Sequence, residues 1–164
     1  WQDLGQKDLL SEDGWNEEMS LNYAINPKWT ISTTAYNRNV DNWIIWQPNN
    51  GVWTPQNLQK VWSRGLENTL KWQQEFNKLN LLFSINYDLT ISTNQQSIAA
   101  RDDTAGKQLI YVPKHKMNVS LKTEWQDWTL VYYHQYTSKV YTLFDNSNAL
   151  PDYHLDHLHL YKNF

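Results

Sequence analysis

Alternation of apolar and polar residues is the dominant pattern of this chain, and its clearest instance runs from Leu79 to Thr93. Seven successive odd positions there are apolar: Leu79, Leu81, Phe83, Ile85, Tyr87, Leu89 and Ile91. The even positions between them are polar, with Leu82 as the exception. Side chains alternate between the two faces of a β-strand, so this period of two predicts a strand with one apolar and one polar face.

Further stretches have a strand-like pattern or composition. Segments 19–25 and 116–125 alternate in the same way, whereas 29–46 and 128–141 are rich in β-branched and aromatic residues. The last stretch, 153–164, alternates weakly. The sequence therefore predicts an all-β protein.

The apolar residues of segment 61–72 fit two patterns, a helix and a strand. They are Trp62, Leu66, Leu70 and Trp72, of which the first three recur every four residues while all four share even positions. The strand interpretation prevails because a tight turn at 77–78 and the clearest strand follow directly. We therefore expect residues 60–76 to form a hairpin with 79–93.

Two even positions of that strand carry polar side chains, Arg64 and Asn68. Glycine inside a strand often marks a bulge. A bulge at Gly65 is expected to reset the parity and turn Arg64 to the polar face. Asn68 has no explanation from the sequence.

Short and long connections alternate along the chain. The short ones, which fit tight hairpin turns, are 26–28, 77–78 and 126–127. The long ones, which contain the Pro, Gly, Asn and Asp residues typical of loops, are 47–59, 94–113 and 142–152. In an antiparallel up-and-down meander, this alternation places the short turns at one end of the sheet and the long loops at the other.

Strand length and aromatic placement favour a transmembrane β-barrel. The run from Leu79 to Ile91, tilted as barrel strands are, rises roughly 30 Å, close to the thickness of the hydrocarbon core of a bilayer. One aromatic set flanks the short turns and a second lies toward the long loops: Trp29, Phe76, Trp125 and Trp128, then Trp43, Trp46 and Trp62. Two such girdles are typical of an outer-membrane barrel. The alternative is a soluble β-barrel or β-sheet module that buries its apolar face and binds a ligand.

Composition restricts the class of protein further. The chain has 164 residues, ten Trp, ten Tyr and no cysteine, so disulfides and thiolate metal sites are excluded. A net charge of -3 gives no general affinity for nucleic acid. The mean hydropathy is -0.74, and no run approaches ~18 consecutive apolar residues, which excludes a membrane-spanning helix.

Four stretches resemble, in order, the barrel region of TonB-dependent outer-membrane receptors. They are "DLGQKDLLSEDGWNEEMSL", "NRNVDNWIIWQPNNGVWTPQNLQKVWSRGLE", "GKQLIYVPKHKMNVSL" and "LPDYHLDHLHL". The similarity is greatest to the cobalamin-receptor-like members of Bacteroides-type bacteria. It implies that residues 1–164 are a single segment with both ends truncated, supplying about six or seven of ~22 barrel strands.

The resemblance also implies a function. It is the active transport of a scarce nutrient, cobalamin-like or siderophore-like, across the outer membrane of a Gram-negative bacterium. Outer-membrane lipid would surround the barrel, and TonB would act through a plug domain that is absent from this segment. An isolated segment of this kind is expected to self-associate through its open strand edges.

The chain has no motif for catalysis or metal binding. Glu17 and Glu18 have no paired acid nearby, and neither a nucleophile elbow nor a phosphate-binding loop occurs. In a strand, His157 and His159 share a face while His154 points the other way, and two imidazoles are too few for a closed zinc site. We therefore expect no enzyme activity, no cofactor and no metal.

Candidate ligand contacts lie in the predicted long loops, because exposed indoles, amides and charged groups suit a large amphipathic ligand. They are Trp46, Asn49, Asn50, Trp53, Gln56, Arg101, Asp102 and Asp103. The alternatives are girdle or loop packing for the tryptophans and a solvated loop for 101–103. Polar strand positions are expected to face a barrel lumen: Glu67, Thr69, Lys71, Asn86, Asp88, Lys122 and Glu124.

Overall fold

Eleven strands make up the regular structure of the described part of the chain. The structure is a computed structural model that describes residues 6–49, 51–57, 60–97 and 103–163. In chain order the strands are β1 (Asp13–Asn26), β2 (Trp29–Asp41), β3 (Ile44–Asn49), β4 (Val52–Asn57), β5 (Lys60–Phe76), β6 (Leu79–Asn94), β7 (His115–Trp125), β8 (Trp128–Thr137), β9 (Val140–Tyr141), β10 (Ala149–Leu150) and β11 (Tyr153–Lys162).

Seven long strands form one antiparallel sheet in the order β1-β2-β5-β6-β7-β8-β11. Each long strand pairs with the next long strand of the chain, while β3 with β4 and β9 with β10 form separate two-stranded sheets. The short turns at 77–78 and 126–127 each place their first residue at a φ of 53°, the left-handed conformation that tight hairpin turns favour. The predicted all-β meander is confirmed.

The ambiguous segment is a strand, as predicted. β5 pairs with β6 in one continuous register that matches Leu66 with Leu89, and with β2 on its other side. The predicted bulge at Gly65 is wrong, because Gly65 pairs with Tyr36 and Thr90 without a register shift. Arg64 therefore stays on the same face as Leu66.

The region between β2 and β5 differs from the prediction. β2 ends at Asp41 rather than continuing to residue 46, because Asn42 adopts a φ of 58°, outside the extended range of a regular strand. The predicted loop 47–59 is also wrong for most of its length. β3 and β4 form a hairpin there, and Gly51, directly before β4, has a φ of 82°.

Buried apolar side chains are few and lie at one end of the sheet. Among the described residues, the buried hydrophobic ones are Val40, Val61, Leu109 and Ile110. Large apolar side chains along the sheet are instead exposed, as with Trp15 at 81 % and Leu158 at 69 %. The core therefore lies where the long connections meet the sheet, and not beneath the sheet.

Candidate functional site

The two faces of the seven-stranded sheet differ in chemistry, and we name them the polar face and the apolar face. The register assigns the even residues of β1, β2, β6 and β7 and the odd residues of β5, β8 and β11 to the polar face. The remaining strand residues form the apolar face. All the positions predicted to face a lumen share the polar face: Glu67, Thr69, Lys71, Asn86, Asp88, Lys122 and Glu124.

Polar side chains bond to one another across the polar face. Thr69 Oγ1 donates to Asn86 Oδ1 at 2.8 Å, and the Lys122 ammonium lies 2.5 Å from a carboxylate oxygen of Glu124. Similar hydrogen bonds join the pairs Ser20–Thr34, Ser63–Ser92, Ser84–Ser120 and Asn118–Tyr133. Since these groups also bind water readily, the polar face suits a hydrated space and not hydrocarbon.

Tyr36 lies across Gly65 on the polar face. Its hydroxyl donates to Thr90 Oγ1, 3.1 Å away on the strand beyond Gly65. A Cβ atom at position 65 would lie 2.6 Å from the Tyr36 hydroxyl oxygen and 2.1 Å from the carbonyl oxygen of Leu89. Glycine is therefore required by this close approach and not by a bulge.

The apolar face leaves its large side chains uncovered, most of all on the outermost strands. The most exposed ones on these two strands are Trp15, Met19, Leu21, Tyr23 and Ile25 of β1 and Leu158 and Leu160 of β11. Soluble monomers rarely expose so large a contiguous apolar surface. In a membrane barrel, acyl chains cover such a face.

Asn68 is a polar residue in the middle of the apolar face, and its amide is satisfied by neighbours. Thr33 Oγ1 donates to Asn68 Oδ1 at 3.0 Å. Asn68 Nδ2 donates to the carbonyl oxygen of Tyr87 at 3.5 Å. A half-buried amide with partners on both adjacent strands has a small free-energy cost, which explains the residue that the sequence pattern did not.

A histidine cluster lies on β8 and β11, on the apolar-face side. His134 Nδ1 is 2.8 Å from Asp156 Oδ1, and the Tyr132 hydroxyl donates to the same oxygen at 2.6 Å. His154 Nδ1 is 3.4 Å from His134 Nε2. The register places His157 on the opposite face from His154, as the parity predicted. Within the described part of the chain, no group of three or more acidic or imidazole side chains is placed to hold a metal ion.

An apolar cluster, which we name the loop-end core, lies where the long connections meet the sheet. Val61 and Leu109, only 1 % and 3 % exposed, form its centre. The side chains packed around them are Trp43, Ile45, Val112 and Phe144. The cluster thus joins the sheet, the β3–β4 hairpin and the two long connections 95–114 and 138–152.

Reciprocal hydrogen bonds between Gln108 and Asn146, which we name the amide clasp, tie these two connections together. Gln108 N donates to Asn146 Oδ1 at 3.0 Å, and Asn146 Nδ2 donates to Gln108 O at 2.9 Å. The Gln108 amide group also accepts from Ser92 N at 3.2 Å and donates to Val112 O at 3.2 Å. No sequence pattern indicates this clasp, because its members lie far apart in the chain.

Beyond the clasp, Asp145 lies in an exposed turn. Ser147 donates to Asp145 Oδ1 from its backbone N–H at 3.0 Å and from its hydroxyl at 2.7 Å. These bonds, with Lys107 nearby, hold the pKa of the Asp145 carboxyl below its ordinary value. The turn therefore keeps a negative charge at the surface.

The predicted ligand contacts in the β3–β4 hairpin fall on two faces. Trp46 pairs with Pro55 and Trp53 with Pro48, so both indoles lie on one face, 52 % and 49 % exposed. Gln56 lies opposite Ile45 on the other face, the side that Ile45 turns to the loop-end core. Asn49 closes β3. Its side chain and the whole of Asn50 lie outside the described residues.

The second predicted contact region is described only in part. Arg101 and Asp102 lie outside the described residues. The Asp103 carboxylate is 86 % exposed and forms an ion pair with Lys107 at 3.0 Å. A single exposed pair of this kind contributes little to stability and leaves the loop solvated.

Comparisons with known proteins place the chain beside membrane receptors. The family model "TonB dependent receptor-like, beta-barrel" matches residues 1–161. The crystal structure of BauA, the ferric preacinetobactin receptor from Acinetobacter baumannii, is similar, with a TM-score of 0.57 and 15 % identity, over 87 % of this chain and 21 % of that chain. No curated protein matches by sequence. Within the described residues, no helix has the length and apolar character needed to cross a bilayer.

Proposed function

Since this chain belongs to the TonB-dependent receptor β-barrel family, we propose that it takes part in nutrient uptake across the outer membrane of a Gram-negative bacterium. Proteins of this family are outer-membrane receptors and transporters and not enzymes. The chain spans about a fifth of the length of BauA, whose crystal structure it resembles. It supplies wall strands and exterior loops to the uptake protein.

The separation of the two sheet faces is the observation that carries this proposal. Within the middle of the sheet, Ile85 and Leu89 belong to the apolar face, while Asn86 between them bonds across the polar face. Lipid on one side and a hydrated lumen on the other account for both faces at once. The lumen residues would contact water or the plug domain through which TonB acts.

The ligand that we propose is a large amphipathic nutrient, cobalamin-like or siderophore-like. The resemblance of the sequence to cobalamin-receptor-like proteins favours the first, and the similarity to a ferric preacinetobactin receptor favours the second. Trp46 and Trp53 support either ligand, because they present two exposed indoles on one face of a hairpin at the loop end. Aromatic side chains in such positions often contribute most of a binding energy.

Uptake by bacteria that carry the intact protein tests the proposal. Labelled cyanocobalamin and a labelled ferric siderophore are offered to cells with and without TonB. We expect one of them to accumulate only when TonB is present, and to bind at the surface in both strains. A protein that fractionates with the soluble contents and takes up neither ligand would establish the soluble binding module instead.

A pair of variants tests the hairpin. Replacing both Trp46 and Trp53 by alanine should weaken surface binding about tenfold or more, since loss of such an anchor commonly costs more than 1 kcal/mol. Val52→Ala is the matched control, because Val52 is 43 % exposed on the opposite face of the same hairpin. Unchanged binding by the double variant removes the two indoles from the ligand site.

A further inference from the structure

The apolar face ends toward the long connections in a row of polar residues that crosses three strands. Glu17 of β1, Asn37 of β2 and Arg64 of β5 are register partners across adjacent strands. On the same face, the next residues of these strands toward the short turns are Met19, Ala35 and Leu66. The row therefore marks the upper border of the apolar band on this side of the sheet.

On the far side of the sheet, the same border lies lower along the strands. There the first polar pair is His134 and Asp156, in register with Ile85 of β6, whereas the Arg64 row is in register with Ile91. Six residues correspond to about 20 Å along a strand. The border is therefore lower on β8 and β11 than on β1, β2 and β5, and a membrane surface that crosses tilted barrel strands meets neighbouring strands at different heights.

Arg64 occupies this border with a fixed geometry and without a counter-charge. Its guanidinium carbon lies 3.6 Å from the centroid of the Trp62 ring. Trp62 Nε1 donates to Asn37 Oδ1 at 2.6 Å, and Asn37 Nδ2 donates to Glu17 Oε2 at 3.1 Å. These bonds hold the indole in place, and the indole in turn holds the guanidinium.

The charges around Arg64 are otherwise engaged. Lys60, on the same face beyond Trp62, pairs with Asp41 at 3.7 Å. Glu17 lies two strands away and accepts the Asn37 amide. Within the described residues, Arg64 forms no ion pair, and its Nη1 is buried without a hydrogen-bond partner.

From this geometry we propose that Arg64 binds the phosphate of a lipid headgroup in the outer leaflet. This inference rests on the proposed function, in which the apolar band lies in the membrane and the long connections lie outside the cell. Phosphates of lipid headgroups lie at the border where Arg64 is placed, and the planar guanidinium fork matches phosphate geometry. Trp62 at the same level suits the interface, where amphipathic aromatic rings concentrate.

Binding of purified lipids to the intact protein in detergent tests this site by native mass spectrometry. The probes are bisphosphorylated lipid A, the same lipid with its phosphates removed, and inorganic phosphate. We expect Arg64→Gln to weaken binding of bisphosphorylated lipid A about tenfold or more, the effect of losing one charge-assisted hydrogen bond. Wild type should bind the dephosphorylated lipid as weakly as the variant binds the phosphorylated one.

Matched variants keep the outcome clear. Arg38→Gln is the control, because Arg38 lies on the polar face of the adjacent strand; it should bind lipid A like wild type. Arg64→Leu places an apolar side chain in the apolar face and is expected to assemble even where Arg64→Gln does not. Equal binding of lipid A by wild type and both Arg64 variants would refute the headgroup site. Displacement of lipid A by inorganic phosphate at the same concentration would also refute it.

The same variants separate this site from the proposed function. Arg64→Gln should reach the outer membrane and take up nutrient at the wild-type rate. Wild-type protein that is absent from the outer membrane would refute the proposed function. Normal uptake together with lipid binding that ignores Arg64 would refute the headgroup site alone.

Discussion

The sheet and the loop-end core place their apolar side chains in opposite directions. Along the sheet, Ile85 and Leu70 belong to the face that carries no other layer of the described chain. At the loop end, Val40 and Val61 belong by register to the polar face, yet both are buried. Apolar side chains are therefore exposed along the sheet and buried at the loop end, and we attribute this difference to the solvent around each region. If hydrocarbon surrounds the sheet and water surrounds the long connections, as we propose, apolar groups point outward along the sheet and inward at the loop end.

Leu109→Ala tests the loop-end core and has the largest expected effect. Removing this buried side chain should destabilise the loop-end core by about 2–5 kcal/mol, while the sheet assembles normally. Protease digestion of whole cells should then cut the long connections faster than in wild type. Leu143→Ala, in an exposed position of the same region, should leave the cutting rate unchanged. Loss of Leu109→Ala from the outer membrane would show that the two regions are not independent.

Ile85→Lys tests the opposite rule at the sheet. A lysine at mid-depth on a lipid-facing position costs about 2–4 kcal/mol, which should prevent assembly of the barrel. The amount of folded protein in outer-membrane fractions measures the effect. Ser84→Lys puts the same side chain on the polar face one residue away and should assemble. Normal assembly of Ile85→Lys would reject the lipid-facing assignment.

Gly65→Ala examines the polar face from within. The added methyl group meets Tyr36 and the Leu89 carbonyl, and overpacking of this kind costs about 1–3 kcal/mol. The midpoint of urea unfolding in detergent should fall. Combining the change with Tyr36→Ala should restore part of the loss, because the ring no longer occupies the space. A double variant no more stable than Gly65→Ala would assign the whole penalty to the backbone contact.

Asn68→Leu has the smallest expected effect and sharpens the rule for the apolar face. The substitution removes an amide that two neighbours satisfy and supplies apolar surface to the lipid, so the stability should stay within about 0.5 kcal/mol of wild type. Unfolding midpoints of the two proteins measure this directly. A large loss of stability would mean that Asn68 has a role beyond its own hydrogen bonds.

The strands and their two faces could be predicted from the sequence because the polarity of each residue in a long strand matches the face on which it lies. The alternation around Ile85 fixed both the strand and its outward face without reference to any distant residue. Asn68 escaped the same reasoning because its partner Thr33 lies on the adjacent strand, in a contact that only the register creates. Arg64 escaped it because the expected bulge at Gly65 does not form, so its side chain stays beside Trp62 on the apolar face. The alternation of residues predicts which face of the sheet a side chain lies on. It does not predict which side chains of the adjacent strands lie beside it.

The loop end was less accessible to prediction for two physical reasons. Asn42 ends β2 through a left-handed conformation, which a run rich in Thr, Ile and Trp gave no reason to expect. The β3–β4 hairpin then places Trp46 and Gln56 on different faces, although both lie in what seemed one loop. Candidate ligand contacts chosen by residue type alone therefore combined side chains that the fold separates.

The amide clasp has a consequence for the cooperativity of the exterior surface. Gln108 and Asn146 belong to different connections, and two reciprocal hydrogen bonds join them. Segments linked in this way, around a shared apolar centre, tend to open as a single unit and not one at a time. Amide hydrogens of the two connections should therefore exchange with solvent at matching rates, and a ligand that displaces one connection has to displace both.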